Sequence, residues 1–280
     1  NVNMGYGDEV RFRININADR MCDEYFFQLL NAEGEPITQS RSLSIRDYVR
    51  LAIDKDTTGL ADKRLFVKML DYGALAQLAV AEENNTTVTD LANANITAED
   101  RKVFENFTWP TSNAEADEPK GSADVSGFEV DVVLNATVDI NFYVPATLYT
   151  EGAKITVMRN DELLTEGVGY TLTKVGSEYR VRVSMTADKM CDVVSVQLTK
   201  ADGTEMPARS MSIRHYVSLI LNHSDTKDYD KLVFIAALDY GTLAQLAIAA
   251  ENNTTVTDLA NRYLTGDQRD ILDNYVWYKN

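Results

Sequence analysis

The chain has 280 residues and a mass of 31.3 kDa, room for one large domain or two ordinary ones. Hydrophobic residues make up 45% and charged residues 25%, which allows a buried core and excludes wholesale disorder. The formal net charge of −16 repels phosphate backbones and anionic lipid, and no apolar run reaches the ~18 residues needed to span a bilayer, so neither nucleic acid nor membrane insertion is expected.

From the N-terminus, Val10, Phe12, Ile14 and Ile16 alternate with Arg11, Arg13, Asn15 and Asn17, the period of a strand with one apolar face. A second strand carries Tyr25, Phe27 and Leu29 on one side and closes at the Glu33-Gly34 turn of a hairpin. Its other side carries Phe26 and Leu30, an apolar outer face. Such a face is covered by other parts of the chain or offered to a partner, and covering is the first expectation.

Ser44, with Asp47 three residues later, has the chemistry of a helix N-cap. The loop after that helix, Asp54-Lys-Asp56-Thr-Thr58-Gly59, imitates the first half of a calcium-binding loop. Its twelfth position is Leu65 instead of a bidentate Glu, so an ordinary acidic interhelical loop is preferred and no metal or other cofactor is expected. A helix from about Leu65 to Glu83 places Leu65, Met69, Tyr72 and Ala76 on one stripe, with Asp71 read as lying on the helix surface. Gly73 inside it points to a close contact that excludes a Cβ. Thr97-Ala-Glu-Asp100 opens a last helix with Val103, Phe104 and Phe107.

These features then return. Arg11–Asp23 recurs as Arg180–Asp192, Ser44–Val49 as Ser212–Val217, and Leu70–Ala79 as Leu238–Ala247, while Glu83–Asn93 is identical to Glu251–Asn261. The order is kept, and the spacing between copies shortens by one residue near Ser40. A tandem duplication follows. Unit 1 spans 1–108 and unit 2 spans 127–280. The stretch 109–126, with Pro110, Pro119, Gly121, Glu115, Asp117, Glu118 and Asp124, reads as an acidic linker. Phe128 to Val175 adds strands (Val130–Val144, Lys154–Met158, Tyr170–Lys174) without a counterpart in unit 1, which either begins partway through the unit or is a shorter variant. The fold class expected is α+β: two tandem units, each a small antiparallel sheet or sandwich followed by three helices, the first shorter in strands.

The repeat also weighs the candidate chemistry. His215 and His223 stand where unit 1 has Asp47 and Lys55, so neither belongs to a shared catalytic site, and both are read as exposed. Cys22 and Cys191 occupy equivalent places, one per unit, and are read as small buried hydrophobes. Asp71-Tyr72 and Asp239-Tyr240 are the repeated polar pair most suggestive of a binding site, yet one carboxylate per unit lacks the partner that glycoside hydrolysis needs. Within the identical stretch, Thr87 and Asp90 fit a helix N-terminus. Asn84, Asn135 and Asn252 open Asn-X-Thr triplets, which matter only in a glycosylating host.

Taken together, the Ser-Ile-Arg-x-Tyr helix start (Ser44–Tyr48, Ser212–Tyr216), the Leu-Asp-Tyr-Gly-x-Leu-Ala-Gln helix (Leu70–Gln77, Leu238–Gln245) and the Asp-Leu-Ala-Asn ending resemble a repeat in large secreted surface proteins of Gram-positive gut anaerobes. In that family the helix reads closer to Leu-Asn-Tyr-Gly-Ala-Ala-Ala-Gln. The resemblance covers both units, nearly the whole chain, and brings no catalytic residues with it. Antibody-binding, superantigen-like proteins occur among such surface proteins. The resemblance therefore implies an extracellular, cell-surface, non-catalytic binding module with a host protein, immunoglobulin first, as partner. Neither a signal peptide nor a wall anchor is legible, so that location comes from the resemblance alone. A glycan-binding or spacer module is the alternative. Glycan recognition favours exposed Trp platforms, whereas Trp109 and Trp277 sit at matching unit ends and read as packing anchors.

Overall fold

The computed structural model describes residues 2–6, 9–12, 14–110, 127–134 and 138–275, with side chains from residue 14 onward except Leu134. Linker residues 111–126, Asn135 and Trp277 lie outside the described residues. The fold is α+β, with antiparallel sheets and six α-helices among the described residues.

In the first half, β1 (Val2–Tyr6) pairs with β2 (Glu9–Phe12), and β3 (Tyr25–Phe27) pairs with β4 (Arg41–Leu43). The helices α1 (Ile45–Asp54), α2 (Leu60–Glu83) and the single turn α3 (Ala98–Arg101) follow. In the second half come β5 (Glu129–Leu134), β6 (Val138–Pro145), β7 (Lys154–Arg159), β8 (Glu162–Leu163), β9 (Thr171–Val175), β10 (Glu178–Met185), β11 (Val194–Thr199) and β12 (Arg209–Met211). They make two four-stranded antiparallel sheets, in the orders β5-β6-β10-β9 and β12-β11-β7-β8. Phe128, Ile140, Phe142 and Val181 from the first sheet's side share a buried core with Val157, Val194, Val196 and Leu198 from the second. The helices α4 (Ile213–Leu221), α5 (Asp228–Glu251) and α6 (Gly266–Asp273) complete the chain.

The strands of the two halves differ in length. β10 runs eight residues and pairs with β6 from Val138 to Pro145, whereas β2 pairs with β1 among the described residues. Ile14 and Ile16, expected on the apolar face of this strand, lie outside the ladder, and Ile14 is exposed. β11 runs six residues between β12 and β7, while its counterpart β3 runs three and, among the described residues, pairs with β4 alone. Gly7-Asp8-Glu9 aligns with Gly176-Ser177-Glu178, so β1 is the counterpart of β9. The segment without counterpart is therefore shorter than Phe128–Val175 and ends before β9.

The helices follow their caps. The Ser44 and Ser212 hydroxyls accept the backbone N–H of Asp47 and His215 at the starts of α1 and α4. Thr97 with Asp100, and Thr265 with Gln268, form reciprocal capping boxes. α2 begins at Leu60, earlier than expected, and Asp71–Ala76 are buried on all sides, so a single apolar stripe understates its burial. The reason is a second helix: α2 packs against α5, and the Tyr72 and Tyr240 rings stack at 6.0 Å with a 13° interplanar angle. α5 is apolar and long enough by composition to cross a membrane, yet most of it is buried inside the fold.

Gly73 and Gly241 explain themselves in the same place. A Cβ at Gly73 would lie 2.6 Å from Met21 Sδ and 3.1 Å from the Ala18 carbonyl. At Gly241 the distances are 2.7 Å to Met190 Sδ and 2.9 Å to the Ala187 carbonyl. Each 3-10 turn (Ala18–Arg20, Ala187–Lys189) thus presses its backbone onto the helix where a side chain is missing. Gly241→Ala is expected to destabilise the protein by about 1–3 kcal/mol, despite the ~1 kcal/mol that alanine gains by helix propensity. Urea denaturation measures it, and a stabilised variant would contradict the contact.

Candidate functional site

Asp71 and Asp239 lie inside the protein, which corrects their reading as helix-surface groups: their exposures are 2% and 3%. Burying a carboxylate requires compensating partners. Asp71 accepts from Asn93 Nδ2 at 2.8 Å and from both Arg101 Nη atoms at 2.9 and 2.8 Å. Asp239 accepts from Asn261 Nδ2 at 2.7 Å and Arg269 Nη1 at 3.2 Å. Burial pushes the Asp239 carboxyl up, against the opposing pull of Lys68, Asn261 and Arg269. The two carboxylates tie the end of the identical stretch to the helix that follows it. Tyr72 is buried and Tyr240 half-buried, each occupied by the other's ring.

The identical stretch itself is a set of loop fastenings. Asn85 and Asn253 take left-handed backbone angles just past α2 and α5, at φ of 51° and 52°. Gln77 bridges to Asp90 O at 3.1 Å and Ala92 N at 2.7 Å, and Gln245 does the same to Asp258 O and Ala260 N. Arg46 pairs with Asp90. No helix starts at Thr87 or Asp90, because the Asp90 and Asp258 carbonyls and carboxylates are committed to these side chains.

The remaining candidates resolve in turn. Cys22 and Cys191 are free and half-buried, and burial pushes the Cys191 thiol up to about 11, against the pull of Arg214. Such a thiol holds almost no thiolate at neutral pH. His223 is exposed, while His215 is half-buried in the first turn of α4, where a wholly exposed side chain was expected. Asp54 is held by Arg50, Thr58 Oγ1 donates to the Ala52 carbonyl at 2.6 Å, and Asp56 is exposed. That loop is the C-terminal fastening of α1, and among the described residues no group of three or more His, Cys, Asp or Glu is placed to hold a metal. Trp109 is half-buried, 5.1 Å from the Phe107 ring and beneath the Arg269 guanidinium at 5.1 Å, consistent with a packing role.

The surface around β3 differs from all of these. Phe26 is 70% exposed and Leu30 52%, so among the described residues nothing covers them, contrary to the covering that was expected. The opposite side of the strand is open too: Phe27 and Leu29 are 41% and 48% exposed, whereas their counterparts Val196 and Leu198 are both at 0%. Ile37 and Leu43 extend the apolar surface. Phe26, Phe27, Leu29, Thr38 and Arg41 line an open groove of about 610 Å³. Sequence reasoning singled out Phe26 and Leu30 but took Phe27 and Leu29 for core. Alternation marks which face is apolar and carries no signal of whether that face is covered.

The hairpin is nonetheless well held. Asn31 Oδ1 accepts the Glu33 and Glu35 backbone N–H groups at 3.1 and 2.7 Å, and Gly34 takes the turn at φ 84°. Ile37 N donates to Leu29 O at 2.9 Å, and Leu29 N to Thr38 Oγ1 at 3.1 Å. Leu29 thus faces the β4 side, and by antiparallel alternation Phe26, Gln28 and Leu30 turn their backbone N–H and C=O groups to the other edge. No described strand pairs with that edge.

Asp71→Ala is expected to cost about 3 kcal/mol in chemical denaturation, because it strands the buried Asn93 amide and Arg101. A loss below about 1 kcal/mol would contradict the buried tie. Asp100 tests the electrostatics: Arg50, at 2.6 Å, and the Thr97 hydroxyl and amide hold its carboxyl well below the usual carboxylate range. The folded state therefore takes up that proton less readily than the unfolded chain, and the stabilisation is full above about pH 4 and lost as pH falls further. Asp100→Asn is expected to be about 1–2 kcal/mol less stable at neutral pH, with the gap closing on acidification. A gap independent of pH would contradict it.

Comparison of the chain with family models, with curated proteins and with solved structures gives no match.

Proposed function

We propose that this chain is a non-catalytic, protein-binding segment of a bacterial surface protein, built from two tandem copies of one α+β unit, and that it engages its partner through the apolar surface around β3. The observation that carries this reading is the exposure of Phe26, Phe27, Leu29, Leu30 and Ile37 together on one hairpin, when the counterparts Val196 and Leu198 are fully buried. Contiguous exposed apolar surface beside an unpaired strand edge is the usual mark of a docking site. Support for the tandem arrangement comes from repeated local geometry: the paired caps at Ser44 and Ser212, the carboxylate ties at Asp71 and Asp239, and the glycine contacts at Gly73 and Gly241. The repeated polar groups are spent on structure, which favours binding over catalysis. A host protein is the partner class, with immunoglobulin named by the resemblance of the repeat motifs, and the extracellular location has the same source.

An antibody panel beside a glycan array tests the reading. Binding to an immunoglobulin, weakened more than about tenfold by Phe26→Ser with Tm unchanged, is the expected result. Binding to glycans alone would overturn it in favour of a carbohydrate module, and silence on both would favour a spacer.

A further inference from the structure

The two long helices meet about a local twofold axis. Tyr72 stacks on Tyr240, its own counterpart in the repeat, and a residue that meets its counterpart lies on such an axis. Ile16 and its counterpart Met185 line one groove together with these two rings. Tyr229, at the start of α5, shares another groove with Leu78 and Ala81 near the end of α2, so the helices run antiparallel. A twofold arrangement makes contacts in pairs: where a residue of the first unit meets the second, its counterpart meets the first. One such contact lies at the end of the first unit. The Arg269 guanidinium sits 5.1 Å from the Trp109 ring while its Nη1 reaches Asp239 at 3.2 Å. A guanidinium that binds a carboxylate through its edge keeps its planar faces for aromatic rings.

We infer that Arg101 receives the Trp277 indole as Arg269 receives Trp109, so that the two units exchange tryptophans across the Tyr72–Tyr240 stack. The inference rests on the tandem reading of the chain. Its occupant is a segment of this chain outside the described residues, and residues inside them set its approach. Arg101 is the counterpart of Arg269, each the fourth residue of a turn opened by a capping box, and it grips Asp71 with both Nη atoms at 2.9 and 2.8 Å. Tyr275, two residues before Trp277, is the counterpart of Phe107, two residues before Trp109. Both rings lie near the start of their own unit's long helix: Phe107 beneath Arg64 at 4.4 Å, and Tyr275 edge-on to Tyr229 at 6.5 Å. The two segments therefore leave their last turns at matching places, and the two-residue step that carries Trp109 to the other unit's arginine carries Trp277 to Arg101. Each arginine then has a double role: it compensates a buried carboxylate of its own unit and takes the ring of the other. The exchange holds the second unit against the helical base that carries β3.

Trp109 and Trp277 are the only tryptophans in the sequence, so each is observed alone in the full chain after the other is changed to Phe. Trp277 in the Trp109→Phe variant is expected to resist acrylamide quenching about as well as Trp109 does in the Trp277→Phe variant. Arg101→Lys should open Trp277 to the quencher and leave Trp109 shielded. A double-mutant cycle of Arg101→Lys with Trp277→Leu should show a coupling of about 2- to 30-fold in the unfolding equilibrium constant. Because Arg101→Lys also alters the tie to Asp71, NMR supplies a measurement with the arginine intact. The Arg101 Hδ protons are expected to be shifted upfield by the indole ring current and to return to ordinary values in Trp277→Leu. A Trp277 as open to quencher as in the denatured chain would overturn the inference, and so would Arg101 shifts that ignore Trp277→Leu. With Trp109 still shielded, either result leaves the tandem reading in place, whereas exposure of both tryptophans removes the two-unit packing as well. Immunoglobulin binding through Phe26 is read separately and depends on neither outcome.

Discussion

Backbone N–H and C=O groups along a strand must find partners, and the apolar face of a short sheet must find cover. In the second half of the chain both needs are met within the fold, since β11 sits between β12 and β7 and its inner residues reach zero exposure. In the first half β3 has the same register with β4 and the same turn, but among the described residues no strand pairs with its other edge, and Phe26, Phe27, Leu29 and Leu30 are exposed. The contrast between two nearly matching hairpins, one closed and one open, is the physical fact from which the functional reading grows.

What keeps the open hairpin in place is the helical half. Gly73 lets the turn before β3 press onto α2, and the Met21 carbonyl accepts the Arg46 N–H at the start of α1. The Asp71 carboxylate gathers Asn93 and Arg101, so the segment that follows α2 is fastened to it without help from the sheet. α2 then stacks on α5 through Tyr72 and Tyr240. A short strand with little cover of its own is thus carried on a rigid base, which is what a presented binding surface requires.

Much of this was legible in the residues. Caps at Ser44, Ser212, Thr97 and Thr265 depend on local hydrogen bonding, and local chemistry predicts them. Gly73 and Gly241 stood out as misfits in good helices, and the misfit was the contact. Asp71 escaped because period alone places a polar residue on the outside. Its burial depends on Asn93 and Arg101, far along the chain, and on a second helix packing from the other side. The shortness of β3, which ends at Phe27, escaped for a related reason: alternation marks which face is apolar and carries no signal of where a strand stops. Phe26 and Leu30 were visible as an anomaly, whereas the exposure of Phe27 and Leu29 depends on contacts between distant segments that alternation does not carry.

The most direct measurement is amide hydrogen exchange on the free chain, comparing β3 with β11 residue by residue. An open edge predicts that Phe26, Gln28 and Leu30 exchange at nearly unprotected rates, while their counterparts Ser195, Gln197 and Thr199 are protected by pairing with β7. Equal protection in the two strands would mean that the β3 edge is already paired, and it would contradict the open surface on which the functional reading stands.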